Sequence, residues 1–108
     1  KPVYMVNLIK FRHPDGRKLY KEYLKKAEPF TRDLGSRIVV FTQPKHAIIG
    51  SQRDVDNWDI LFVVEYPSAQ AFLKLQKNKD YQKVEQTYRQ PALEDSRLIA
   101  SKGWTSKL

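Results

Sequence analysis

Two long apolar segments constrain the fold of this chain more than any other feature. Residues 3–11 and residues 59–66 are rich in the β-branched and aromatic residues that favour strands. Each segment also carries a polar residue, Asn7 in the first and Glu65 in the second, where a purely structural strand would be apolar. The two segments therefore predict a small sheet that holds polar groups among apolar neighbours.

Helical periodicity and turn residues predict the elements that follow the first strand. Tyrosine, leucine and alanine recur at helical spacing from about residue 17 to 34, and Gly35 is suited to end that helix. A second strand is predicted over 37–42. After a break at 43–45, an extended segment at 46–50 either continues this strand or forms a hairpin with it.

The second half of the chain predicts a loop, two short helices and a last strand. Residues 51–57 are polar and read as the loop. Ser68 is the predicted N-cap of one helix and Asp80 that of the next, with a break at Asn78. The last strand is predicted over 95–100, ahead of a polar tail at 101–108 that contains Trp104.

This order of elements is typical of the α+β ferredoxin-like fold, a split βαβ arrangement with an antiparallel sheet. A chain of 108 residues has room for one such domain, which spans 1–108 with its tail. Helices cover one sheet face only, yet the first and third strands are apolar on both sides. A second copy of the sheet is the economical cover for the other face, so we expect a homodimer.

Composition excludes several classes of function. Without cysteine there is no disulfide, thiolate nucleophile or iron–sulfur cluster, which favours a cytoplasmic protein. No run of about 18 apolar residues exists, so no membrane partner is expected. The net charge of +8 is spread along helix faces instead of forming one stripe, which does not favour a nucleic-acid partner.

The chain resembles the uncharacterised family called domain of unknown function 1330 over nearly its whole length. The motifs that carry the resemblance are residues 4–12, Tyr20 and Tyr23, 35–37, 49–50, 58–59, 64–68, 71–73, 81–82, Arg89 and 92–100. The resemblance implies a dimeric α/β barrel, in which two ferredoxin-like subunits pack sheet to sheet around a shared interior. It implies no established reaction, and we expect no cofactor.

Four polar residues lie in apolar rows, meaning that their neighbours on the same face of the strand are apolar. They are the first candidates for a site. We expect Asn7 and Glu65 to meet Arg37 or Arg97 inside the barrel. Glu65 would then be a general acid or base, the arginine would bind an anionic oxygen, and Asn7 would orient a carbonyl. The alternative is an internal salt bridge that fixes the sheet register or the dimer interface.

Other side chains are weaker candidates for chemistry. His46 could carry a proton, and the hydroxyl of Tyr20 could reach a pocket from its helix. The cluster Asp95, Ser96 and Arg97 either binds a ligand or anchors the last strand through hydrogen bonds to the backbone. Neither histidine has a second ligand at metal-binding spacing, so no metal site is expected.

The sequence thus predicts a homodimer that binds a small anionic or carbonyl-bearing metabolite, with cofactor-independent catalysis left open. One alternative is a non-catalytic structural or binding dimer. The other is an RNA-binding domain of the same element order, with Tyr4 and Phe62 on an open platform. Residues 61–66 lack the glycines of its third-strand motif, which counts against this alternative.

Overall fold

The protein folds into a four-stranded antiparallel sheet with its helices on one face. A computed structural model describes residues 1–50 and 56–103. The strands are β1 (Val3–Phe11), β2 (Arg37–Thr42), β3 (Ile60–Tyr66) and β4 (Leu93–Ser101). The helices are α1 (Gly16–Asp33), α2 (Ala69–Lys77) and α3 (Lys79–Val84), followed by a π-helical turn (Glu85–Arg89) and a 3-10 turn (Gln90–Ala92).

The sheet topology confirms the predicted α+β ferredoxin-like fold. The strand order is β2-β3-β1-β4, with every neighbouring pair antiparallel. The first and third strands in sequence therefore form the centre, and the sheet is open rather than closed on itself. The central position of β1 and β3 agrees with their long apolar segments, because central strands have both faces covered more fully than edge strands.

Cross-strand register assigns the residues of the central strands to two faces. Asn7 lies opposite Phe62, and both point to the helices, on the side that we call the helix face. Tyr4 lies opposite Glu65 on the other side, which we call the outer face. The helix face and the helices share one core, formed by Met5, Ile9, Phe11, Tyr20, Tyr23, Ala27, Ile60, Phe62, Tyr66, Leu75, Tyr81 and Ala92.

A β-bulge in β2 changes the face of its later residues. Ile38 pairs with Val64 and Val40 pairs with Val63, which leaves Val39 as the extra residue. Simple alternation would put Arg37 and Phe41 on one face, but one inserted residue reverses the alternation beyond it. Arg37 consequently lies on the outer face, whereas Phe41 stacks on Phe62 with 5.4 Å between ring centroids.

Two helix ends agree with the sequence and one does not. Gly35 adopts φ +77° just beyond α1, a conformation that glycine allows, and the Ser68 hydroxyl accepts a hydrogen bond from the amide of Ala71 at 3.1 Å. The prediction that Asp80 caps the next helix is wrong. Asn78 is the cap, because its Oδ1 accepts from the amides of Asp80 and Tyr81 at 2.9 and 3.1 Å.

The segment after β2 and the start of β4 also differ from expectation. Residues 46–50 were expected to be extended, but they contain bends and pair with no strand of the described chain. β4 begins at Leu93, two residues before the predicted start, because the 3-10 turn ends at Ala92 and the next residue already pairs with Phe11. Most of the predicted loop at 51–57, and most of the tail with Trp104, lie outside the described residues.

No helix among the described residues is both long enough and apolar enough to cross a lipid bilayer.

Candidate functional site

A cavity of about 620 Å³ lies between the helix face of the sheet and the helices, and we call it the helix-face cavity. β1 and β3 supply its floor, while α1, α2, α3 and the π-helical turn supply its walls and roof. Its principal apolar lining residues are Met5, Leu24, Ala27, Phe62, Val64 and Phe72. This cavity therefore offers an apolar molecule a partly enclosed space against the sheet.

Among the polar side chains that line the cavity, five form what we call the polar cluster: Asn7, Tyr23, Tyr81, Glu85 and Arg89. Other polar lining residues are Lys25, Glu28, Thr31, Arg32, Ser36, Arg37 and Gln76. The hydroxyl oxygens of Tyr23 and Tyr81 are 2.6 Å apart. One of them donates to the other, so one hydroxyl hydrogen remains for a further acceptor. Asn7 donates from Nδ2 to the carbonyl of Met5 at 3.2 Å, which holds its amide group at the cavity floor.

Burial keeps the tyrosines of the cluster as neutral hydrogen-bond donors. It raises the pKa of Tyr23 well above its usual value and that of Tyr81 to about 12. Burial acts against the charge of Arg89, but the neighbouring Tyr20 and Tyr23 hydroxyls outweigh it and raise the pKa of the guanidinium. At physiological pH the cavity therefore contains neutral hydroxyls beside a permanent cation.

A π-helical turn brings Glu85 and Arg89 into the cavity. The amide of Gln90 bonds to the carbonyl of Glu85, five residues back, which widens the turn beyond that of an α-helix. The Glu85 Oε2 and Arg89 Nη1 atoms are 3.9 Å apart, with only 24% and 15% of the side chains exposed. π-Helical turns occur frequently at functional sites, so the presence of one here supports the polar cluster as a candidate site.

Glu65 and Arg37 form an ion pair on the outer face, and Arg37 also borders the helix-face cavity whereas Glu65 does not. Their Oε1 and Nε atoms are 2.7 Å apart. Hydrogen bonds first from Arg37 and then from Tyr4 lower the pKa of the Glu65 carboxyl. An ionised carboxylate held this way matches the salt-bridge alternative more closely than proton transfer, and a catalytic role for Glu65 stays a prediction.

The expectation that Asn7 meets Glu65 is wrong for the described chain. Asn7 pairs with Phe62 on the helix face, whereas Glu65 pairs with Tyr4 on the outer face, so the sheet separates them. Each lies in an apolar row, but the two rows belong to different faces. Phe62 is 4% exposed, so the platform of Tyr4 with Phe62 that RNA binding requires does not exist either.

The cluster at 95–97 satisfies its own hydrogen bonds on β4. The Asp95 carboxylate accepts from Arg97 Nη1 at 2.7 Å and from the amide of Ser96 at 2.8 Å. Arg97 also lies over the Trp58 ring, with 5.3 Å between Cζ and the ring centroid. The hydrogen bonds are local to the three residues, and both ligand binding and anchoring of the strand by them stay predictions.

His46 and Tyr20 lie outside the helix-face cavity. His46 is exposed in the segment after β2, beside a separate cavity that also borders His13 and Trp58. Tyr20 is 1% exposed within the aromatic core, and its hydroxyl neighbours the Arg89 guanidinium. Within those residues, no group of three or more histidine or acidic side chains is placed to hold a metal ion.

The sequence analysis named Arg89 only as part of the family resemblance and selected neither Arg89 nor Glu85 as a site residue. The two residues are four apart, a spacing that places them together on a helix surface, and Glu85 interrupts the apolar stripe of Tyr81, Val84 and Tyr88. A charged pair inside such a stripe is a detectable signal. What the pattern does not contain is the π-helical turn that rotates both side chains into the cavity.

A family model described as "Domain of unknown function (DUF1330)" matches residues 2–103. A crystal structure of a protein of unknown function from Rhodopseudomonas palustris is 33% identical, with a TM-score of 0.85 over 97% of this chain and 84% of that chain. No curated protein matches the chain.

More distant structures share the fold alone. A dimeric ferredoxin-like protein of unknown function from Jannaschia sp. is 7% identical, with a TM-score of 0.68 over 95% of this chain and all (100%) of that chain. A dabb family protein with a ferredoxin-like fold from Mesorhizobium loti is 14% identical, with a TM-score of 0.62 over 95% and 97% of the two chains. The same backbone arrangement is thus reached by very different sequences.

Proposed function

Because this chain belongs to the family of domain of unknown function DUF1330, we propose that it is a homodimer that binds one small molecule in the helix-face cavity of each subunit. The single observation that carries the proposal is the cavity itself. Its volume of about 620 Å³ lies within the range of roughly 300–1,000 Å³ that is usual for small-molecule sites. Such sites combine apolar walls with a few placed polar groups, as this one does.

The polar cluster indicates the kind of molecule. Arg89, the remaining tyrosine hydroxyl and the Asn7 amide supply mainly hydrogen-bond donors, so the ligand should present acceptors. An anionic or carbonyl-bearing metabolite meets this requirement. We propose binding rather than a particular reaction, because the geometry favours no single bond to be broken; turnover of a bound ligand would distinguish an enzyme from a binding dimer.

The outer face supports the homodimer. Val6, Val63 and Val40 are neighbours across β1, β3 and β2 in the middle of that face. Val40 and Ile99 remain 42% and 50% exposed, and an apolar face of this kind is usually covered by a partner. The Jannaschia protein of the same fold is described as dimeric. A second copy of this chain packed on the outer face would leave the helix-face cavity accessible.

A fragment screen by ligand-observed NMR tests binding directly. Leu24→Trp fills the cavity from α1, whereas Leu73→Trp changes the same residue type on α2, outside the cavity wall. We expect fragments that bind the wild type and Leu73→Trp to lose binding in Leu24→Trp. Fragments that bind all three proteins equally, or no bound fragment at all, would contradict the proposal.

A further inference from the structure

Arg89 combines the deepest burial with the poorest pairing among the arginines that form ion pairs in the described chain. Its side chain is 15% exposed, compared with 66% for Arg32, 71% for Arg37 and 50% for Arg97. The three exposed arginines lie 2.7 to 3.0 Å from their carboxylates, but Arg89 lies 3.9 Å from that of Glu85. The most buried of these arginines therefore has the longest distance to its carboxylate.

The cost of desolvation predicts the opposite: the most buried arginine should lie closest to its carboxylate. An exposed guanidinium can hydrogen-bond to water, whereas a buried one depends on protein acceptors to offset its desolvation. A guanidinium carries five N–H donors, and 3.9 Å is too long for a hydrogen bond to the single nearby carboxylate. The neighbouring Tyr20 hydroxyl can accept from only part of this set of donors, so Arg89 keeps donor capacity for a ligand inside a cavity large enough to hold one.

The hydroxyl pair adds a second type of donor to the same cavity. Tyr23 and Tyr81 use one hydroxyl hydrogen between themselves and leave one for an acceptor. A carboxylate has two oxygens with several lone pairs, and its planar shape matches the fork of a guanidinium. A carboxylate is therefore the common ligand group that makes best use of a guanidinium together with a hydroxyl.

Glu85 and the apolar walls limit the rest of the ligand. Glu85 offsets the charge of Arg89 at 3.9 Å, and the other charged side chains that line the cavity, Lys25, Glu28, Arg32 and Arg37, are more than half exposed. Residues such as Leu24, Phe62 and Phe72 surround the remaining space and favour an uncharged, apolar body. The cavity therefore suits an acid whose carboxylate lies at Arg89 and whose remainder is apolar.

We infer that Arg89 and the Tyr23–Tyr81 hydroxyl pair form a subsite for the carboxylate of an apolar carboxylic acid. This inference rests on the proposed function, since it names the ligand class of the same cavity. Arg89 binds the carboxylate by paired N–H donors, and the hydroxyl pair donates one further hydrogen bond to it. The apolar part of the acid occupies the space between α1 and β3.

Calorimetric binding of 2-naphthoate and 2-naphthamide tests the subsite, because the two probes have nearly the same shape and differ in charge. We expect the wild type to bind the acid at least about tenfold more tightly than the amide, since one charged contact is worth that much in affinity. In Arg89→Gln the acid and the amide should bind about equally. Arg32→Gln, which alters an exposed arginine at the cavity rim, should keep the preference.

Further variants and outcomes separate the inference from the proposed function. If Arg89→Gln unfolds, the double variant Arg89→Gln/Glu85→Gln removes both charges and should also bind the two probes equally. Equal binding by the wild type, or a preference for the acid that survives the loss of Arg89, would overturn the inference while leaving a binding cavity. Failure of both probes to bind the wild type would overturn the inference, and the independent fragment screen would then decide the proposed function.

Discussion

At the scale of single residues, the Arg37–Glu65 pair shows how one partner determines the proton affinity of another. The pair spans neighbouring strands at 2.7 Å, and Glu65 is the less exposed member, at 21% against 71%. A carboxylate in this position is stabilised by the nearby guanidinium and by the Tyr4 hydroxyl. The folded protein therefore holds the Glu65 proton more weakly than the unfolded chain does.

This difference predicts a pH-dependent contribution to stability. Because the folded pKa of Glu65 lies below its ordinary value of 4.5, the stabilisation is present above that value and is lost as the pH falls through the folded pKa. We expect the wild type to have a higher Tm than Glu65→Gln at neutral pH, and the difference to shrink towards zero in acid. Thermal unfolding of both proteins between neutral pH and about pH 3 measures it.

Arg37→Gln provides the matched background for this measurement. Once the guanidinium is gone, replacing Glu65 should change the Tm much less and with little dependence on pH. A difference that keeps the same size and pH dependence in this background would mean that Arg37 is not the cause of the lowered pKa.

Individual residues also show which parts of the candidate site could be predicted from the sequence and which could not. Polar residues in apolar rows were correctly seen as unusual, and an arginine was expected beside Glu65. Asn7 was grouped with them wrongly, because alternation assigns faces within one strand and the register between strands is needed to compare two. Arg89 was not selected as a site residue, because the sequence pattern does not indicate that the π-helical turn containing it lines a cavity.

At the scale of elements, two nearby polar residues, Asn78 and Asp80, are both suitable N-caps of α3 by sequence, but only one of them caps the helix. Asn78 accepts from two amides, whereas Asp80 lies within the first turn of the helix. We expect Asn78→Ala to lower the free energy of unfolding by about 1 kcal/mol, because the first amides lose their acceptor. Asp80→Ala should cost about 0.5 kcal/mol, the value of a charge near a helix N-terminus. Urea unfolding of the two variants measures both costs, and a larger cost for Asp80→Ala would contradict the assignment.

Most element types followed from the sequence, and most errors concerned their ends. Strands β1 and β3 and the three helices have strong periodicity, so their existence could be predicted. The bulge at Val39 and the early start of β4 could not, because both depend on how a neighbouring strand is paired. The same bulge determines that Arg37, and not Phe41, shares the outer face with Glu65.

At the scale of the whole molecule, the proposed dimer depends on the middle of the outer face. Val63→Lys places a charge in the row of three valines, where burial against a second copy would be costly. Native mass spectrometry should give twice the 12.7 kDa chain mass for the wild type and the single chain mass for Val63→Lys. Leu73→Lys, an exposed leucine on α2, should leave the dimer intact. A wild-type monomer, or a dimer that tolerates Val63→Lys, would contradict packing through this face.

Successive side chains of β1 point to opposite faces of the sheet. Met5 and Asn7 contribute to the cavity floor, whereas Tyr4 and Val6 lie on the outer face. Substitutions can therefore accumulate on one surface without altering the other, so ligand preference and self-association are free to evolve separately. An insertion or deletion of one residue within β1 has no such freedom, because it would exchange the two surfaces along part of the strand. Natural variation among relatives should accordingly change the composition of this strand far more readily than its length.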